Sequence, residues 1–131
     1  MAISKELAEL LLEQLAPLGA VSVRRMFGGA GVFCDGLMLG LVSDDTLYLK
    51  ADQASEQRFR DERLEQFTYA TKDGRRTLMS YWRAPETVMD DPEEMLAWGR
   101  LAFEAALRSS KLSRRPAATK SPRARRTKAR D

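Results

Sequence analysis

The sequence predicts a two-layer α+β domain, with helices packed on a five-stranded antiparallel sheet, followed by a disordered basic tail. Three observations predict it. The chain opens on an amphipathic helical pattern. Its middle is a run of period-two segments separated by short turn signals. It closes on a well-capped helix, after which apolar periodicity stops.

The first element reads as a helix capped by Ser4, with Leu7, Leu11, Leu15 and Leu18 on one face and Leu10 beside them. Glu6, Glu9 and Glu13 take the wet side, and Pro17 and Gly19 close it. The stretch "RRMFGGAGVF" (Arg24 to Phe33) reads as one strand with a bulge or sharp bend, or as a place where another backbone packs closely. Asp35-Gly36 is a hairpin signal. "LMLGLV" (Leu37 to Val42) and "TLYLK" (Thr46 to Lys50) follow as strands. From Asp52 to about Glu65 the pattern suits a helix contacting the core through Ala54, Phe59 and Leu64. "FTYA" and "RTLMSYW" are two more strands around Asp73-Gly74. In the last helix Asp91 is the N-cap, Pro92 the first helical residue, and Glu93 and Glu94 favour the positive helix end. Met95, Trp98, Leu101, Ala102, Ala105 and Ala106 form its apolar face, and Arg100, Glu104 and Arg108 repeat on the other side. The expected order is α-β-β-β-α-β-β-α. Short links between strands imply antiparallel neighbours.

The net charge of +3 conceals a division. Residues 1–107 carry 12 Lys+Arg against 18 Asp+Glu, a net of −6. Residues 108–131 carry 10 basic and 1 acidic residue, a net of +9. The domain is therefore set at residues 1–108 and the tail at 109–131. The tail has too few apolar side chains to offset its ordering entropy.

Several chemistries lack their parts. Histidine is absent, which removes the commonest general base and metal ligand. The single cysteine, Cys34, lies in an apolar run and reads as a buried structural thiol in a reducing cytoplasm. No apolar run is long enough for a membrane span. Gly28-Gly29-Ala30-Gly31 is followed by a hairpin turn, with no helix N-terminus and no Lys-Ser or Lys-Thr, so it matches neither phosphate-binding fingerprint. Asp44-Asp45 and Asp90-Asp91-Glu93-Glu94 read as turn and cap chemistry. No catalytic residue, metal or cofactor is expected. Lys50 is the most notable charge of the body, with Asp52 or another nearby acid as its expected partner.

Nucleic-acid contact, with DNA or RNA, is assigned to Arg114, Arg115, Lys120, Arg123, Arg125, Arg126, Lys128 and Arg130. Such a segment follows phosphates without reading bases. In the body, Arg24, Arg25, Arg75, Arg76 and Arg83 with Tyr81 and Trp82 suggest a stacking platform. The simpler reading makes the aromatics core and the arginines a solvated face.

"RRMFGGAGVFCDG", "LYLKAD" and "YW…PE…DDPEEMLAWGRLAFEAA" together resemble the N-terminal domain of the TfoX family, also called Sxy, bacterial competence regulators. The resemblance covers roughly residues 3–108. Its motif positions are Met26, Phe27, Gly28, Gly29 and Gly31, then Lys50 and Asp52. It implies a non-enzymatic regulatory domain with the two-layer α+β fold also seen in secretion-chaperone-like proteins. Full-length members carry a second, C-terminal domain where this chain shows the basic tail. The expectation is a cytoplasmic regulatory domain that binds a protein partner through its sheet or helices. The alternative is a small-ligand sensor with a cleft near Gly28 to Gly31.

Overall fold

Ser4 starts the first helix as its side chain predicts. Its Oγ accepts the Leu7 N–H at 3.1 Å, and α1 runs over Lys5–Gln14. The computed structural model describes residues 3–26 and 28–114, apart from the side chains of Met79 and residues 112–114. After a 3₁₀ turn at Ala16–Leu18 come β1 (Val21–Met26), β2 (Gly29–Cys34), β3 (Leu37–Ser43) and β4 (Thr46–Lys50). Helix α2 (Glu56–Asp61), strands β5 (Gln66–Thr71) and β6 (Gly74–Arg83), a second 3₁₀ turn at Glu86–Met89 and helix α3 (Pro92–Arg114) complete the chain.

The sheet is antiparallel throughout, in the order β1-β2-β3-β4-β6-β5. It has six strands, where five were expected, so the element order is α-β-β-β-β-α-β-β-α. The difference lies in the glycine stretch. What reads as one bent strand is two, because the chain reverses between Met26 and Gly29, which face each other across the ladder. Gly28 makes the reversal at φ +78°, a left-handed conformation that suits glycine. Gly29 then lies so close to β3 that a Cβ would run into the Val42 carbonyl oxygen. The close backbone approach is present, while the bend within one strand is replaced by a reversal between two. A bulge does occur, further on, where the β2–β3 register shifts between Val32 and Phe33.

Two other boundaries move. Helix α2 is six residues long, and of its expected contacts Phe59 is fully buried while Ala54 is exposed. Helix α3 continues through Arg114, so residues 109–114, assigned from sequence to the tail, are helical. Asp91 caps it, its Oδ1 accepting the Glu93 and Glu94 N–H groups at 3.0 and 3.4 Å.

The ladder pairs define the two faces, since residues directly opposite each other point to the same side. One row runs Val23, Val32, Gly40, Leu49, Trp82 across β1, β2, β3, β4 and β6. This is the core face. Leu7, Leu11 and Leu15 of α1 and Met95, Trp98 and Ala102 of α3 join it in one cluster. Phe59 closes the core's end, 5.0 Å edge-on to Trp98 and 6.1 Å from Trp82.

Candidate functional site

The neighbouring row faces away from the helices. It runs Arg24, Gly31, Leu41, Tyr48, Arg83 across the same five strands. An arginine stands at each end, with four strand spacings, roughly 19 Å, between them. The adjoining pairs on this face are Phe33 with Met38, Lys50 with Tyr81, Phe67 with Leu78, and Tyr69 with Arg76. None of these apolar side chains belongs to the core cluster. They form a second apolar surface on the bare side of the sheet.

That surface is concave. Met26, Gly29, Met38 and Leu41 from β1–β3 and Phe67 and Leu78 from the β5–β6 hairpin line one cavity of about 240 Å³. Strands from opposite ends of the sheet meet at one groove, so the sheet curls toward its bare face. The register jump between Gln66 and Phe67 permits this, because it bends β6 where it passes from β4 to β5. Tyr48 meets Phe67 edge-on at 4.7 Å, and Phe67 stacks on Tyr69 at 5.8 Å. Leu78 and Tyr69, toward the β5 edge of the sheet, remain 38% and 40% exposed.

Cations share this sheet face with the groove, outside its apolar lining. The Arg24 guanidinium lies 5.0 Å over the Phe33 ring and the Lys50 ammonium 5.1 Å over the Tyr81 ring. Arg76 and Arg83 are exposed. The paired strand residues of this face thus include four cations and no acid. Most acids lie elsewhere, notably Glu6, Glu9 and Glu13 on α1 and Glu93, Glu94 and Glu104 on α3, but the exposed Glu86 just past β6 stands 3.9 Å from the Arg83 guanidinium. Burial pushes the Tyr81 hydroxyl above its usual pKa.

The sequence motif divides between structure and groove. Met26 and Gly29 line the groove, and Gly28 makes the turn beside it. A Cβ on Gly31 would come within 2.8 Å of the Phe33 ring and 2.9 Å of the Met26 methyl, so this glycine leaves room for both side chains. Phe27 lies outside the described residues. Lys50 does not pair with Asp52, because it stands over Tyr81. Asp52 instead accepts two bonds from Arg108, at 2.6 and 2.9 Å, so Arg108 is drawn away from the Glu104 series expected on α3. The Arg108 guanidinium holds the Asp52 carboxyl below the usual carboxylate range, helped by the Ser55 hydroxyl and the Ala54 N–H. Cys34 is buried, and burial, with Asp35 beside it, raises its thiol pKa. The suggested platform of Tyr81 and Trp82 does not form, since these neighbours face opposite sides and Trp82 is core. Arg114 ends α3. Arg115, Lys120, Arg123, Arg125, Arg126, Lys128 and Arg130 lie outside the described residues. Among the described residues no helix is long and apolar enough to cross a membrane.

Sequence reasoning missed Leu41, Tyr48, Phe67 and Leu78 as a surface. A signal was present: "LMLGLV" is apolar at both parities, which a strand with one wet face does not require.

The fold and this face define a class: a two-layer α+β domain with one sheet face under helices and the other carrying an open apolar groove and exposed cations. The chain belongs to the TfoX N-terminal domain family, whose model matches residues 13–106. It is 30% identical over 96 residues to Protein Sxy of Escherichia coli (strain K12), covering 73% of this chain and 46% of that protein. It is also 30% identical over 97 residues to DNA transformation protein TfoX1 of Aliivibrio fischeri (strain ATCC 700601 / ES114), covering 74% of this chain and 44% of that protein. The chain thus spans under half the length of these curated relatives.

Proposed function

We propose that this chain is a non-enzymatic, cytoplasmic regulatory domain that acts by docking a protein partner on its open sheet face. Its basic tail adds non-specific nucleic-acid affinity. The observation that carries the reading is the groove itself: Met26, Met38, Leu41, Phe67 and Leu78 gather on a face that no described helix covers. Methionine and aromatic side chains suit a surface that packs against a partner. The family supports regulation, since the relatives are Protein Sxy and a DNA transformation protein. The test is co-purification of native partners with the full chain, with Leu78→Asp, and with the chain ended after Arg114. A partner kept by the shortened chain and lost with Leu78→Asp fits the reading. A partner that Leu78→Asp retains removes the groove from it.

A second reading is a small-ligand sensor, favoured by the reach of the groove to Met26 and Gly29 beside the Gly28 turn. At about 240 Å³ the groove lies below the roughly 300–1,000 Å³ of ordinary ligand pockets, which suits one or two partner side chains better. Thermal-shift measurements with nucleotides and apolar fragments test it. Stabilisation by any of them favours the sensor.

A further inference from the structure

We propose that the occupant of the open sheet face is an acidic amphipathic segment of a partner protein, its apolar side chains in the groove and its carboxylates on the surrounding cations. The inference rests on the reading that this face docks a protein. It adds the partner's chemistry.

Charge complementarity carries the argument. The described domain is rich in acids, yet the paired strand residues of this face include Arg24, Lys50, Arg76 and Arg83 and no carboxylate. Arg83 has an acid beside it, the exposed Glu86 at 3.9 Å, a long solvated pair that a partner carboxylate can replace. The Arg24–Leu41–Tyr48–Arg83 row sets an arginine on either side of an apolar centre. A helix with apolar anchors one turn apart and acids on its flanks meets both features at once.

Other occupants fit less well. A second copy docked face to face would oppose like charges. A second copy docked through its acidic helices would bring little apolar area, since Leu12 and Leu107 are the large exposed hydrophobics among the described helix side chains. The chain's own residues 115–131 are basic and hold no apolar side chain larger than alanine and proline. A single nucleic-acid strand needs free ring faces for its bases. Here Arg24 already covers the Phe33 ring and Lys50 the Tyr81 ring.

The test titrates the full chain with three probes while following backbone amide shifts of Met38, Leu41, Tyr69 and Leu78. The first is a helical peptide of about 20 residues with leucines at helical spacing and flanking glutamates. The second is the same peptide with lysine for every glutamate. The third is oligo(dT). The acidic peptide is expected to shift the groove residues. Its affinity should fall at least about tenfold in the Arg24→Glu/Arg83→Glu chain, and likewise with added salt. Both arginines are exposed, so the double variant should melt near the parent, and circular dichroism checks that it does. Leu78→Asp should abolish the shifts independently. Equal binding of both peptides overturns the acidic chemistry and leaves the docking reading standing. Groove shifts with oligo(dT) alone overturn both. Concentration-dependent self-association with groove shifts names a second copy and overturns the inference. Shifts with no probe overturn it too, while the co-purification experiment decides the docking reading separately.

Discussion

The Arg108 guanidinium spans both carboxylate oxygens of Asp52, tying α3 to the loop after β4 across 56 positions of chain. Bidentate geometry makes this one of the better surface pairs. Its exposure keeps its contribution small.

Arg108→Ala should lower stability by about 0.5–1 kcal/mol at neutral pH. Asp52 has a depressed folded pKa, so its contribution is full above the ordinary carboxylate range and is lost as pH falls through the folded value. The gap between parent and Arg108→Ala should therefore close in acid. Denaturant titrations of both chains from neutrality downward measure it. A gap that ignores pH would assign the effect to packing of the arginine stem.

The three glycines of the bend should rank by what surrounds them. Gly29→Val meets the Val42 carbonyl, a backbone atom that cannot swing aside, and should cost about 1–3 kcal/mol. Gly28→Ala meets no atom within 4 Å and bears only the strain of its positive φ, about 1 kcal/mol. Gly31→Ala displaces the ends of Met26 and Phe33, so it should disturb the groove more than the fold. Chemical denaturation of the three variants gives the order. Tolerance of Gly29→Val within about 0.5 kcal/mol would remove the close-approach account.

Cys34 should resist thiol reagents in the folded protein. It is buried, and its raised pKa keeps it protonated at neutrality. Ellman's reagent should label it at the rate of unfolding. Fast labelling of the native chain would mean that the β2–β3 turn opens.

Affinity of the full chain for duplex DNA should fall linearly with log salt. The slope should be roughly −4.5 to −6 if about five to seven phosphates are neutralised. The chain ended after Arg114 should lose this binding and keep its melting temperature. Ending after Leu107 is a different experiment, since it also removes Arg108 and the last turns of α3. Equal affinity from the chain ended after Arg114 would move the nucleic-acid site onto the Arg24 and Arg83 surface.

Local signals in the sequence carried most of the elements. Ser4 and Asp91 cap where their side chains say they should, and Asp35-Gly36 and Asp73-Gly74 turn. The strand count failed at Gly28. A bend and a reversal need the same residue, and only the pairing of Met26 with Gly29 distinguishes them. The end of α3 was placed too early because apolar periodicity stops near Arg108 while the backbone stays helical through Arg114. The groove was least legible. It joins β1–β3 to a hairpin beginning at Gln66, and period two says which residues share a side, not which sides curl together.

The position of the end of α3 has a consequence for how two weak contacts combine. Ala106, Ser109 and Ser110 line a cleft with Met38, Lys50 and Tyr81, so the helix ends beside the rim of the groove. The 17 residues after Arg114 span at most about 60 Å, whatever their conformation. Were the proposed nucleic acid held by those residues and the proposed protein in the groove, both would be tethered to one point. Each would raise the effective concentration of the other, to the millimolar range for short linkers. Two contacts too weak to persist alone would then hold together on one nucleic acid, and moving the tail to the N-terminus would separate them without altering either surface.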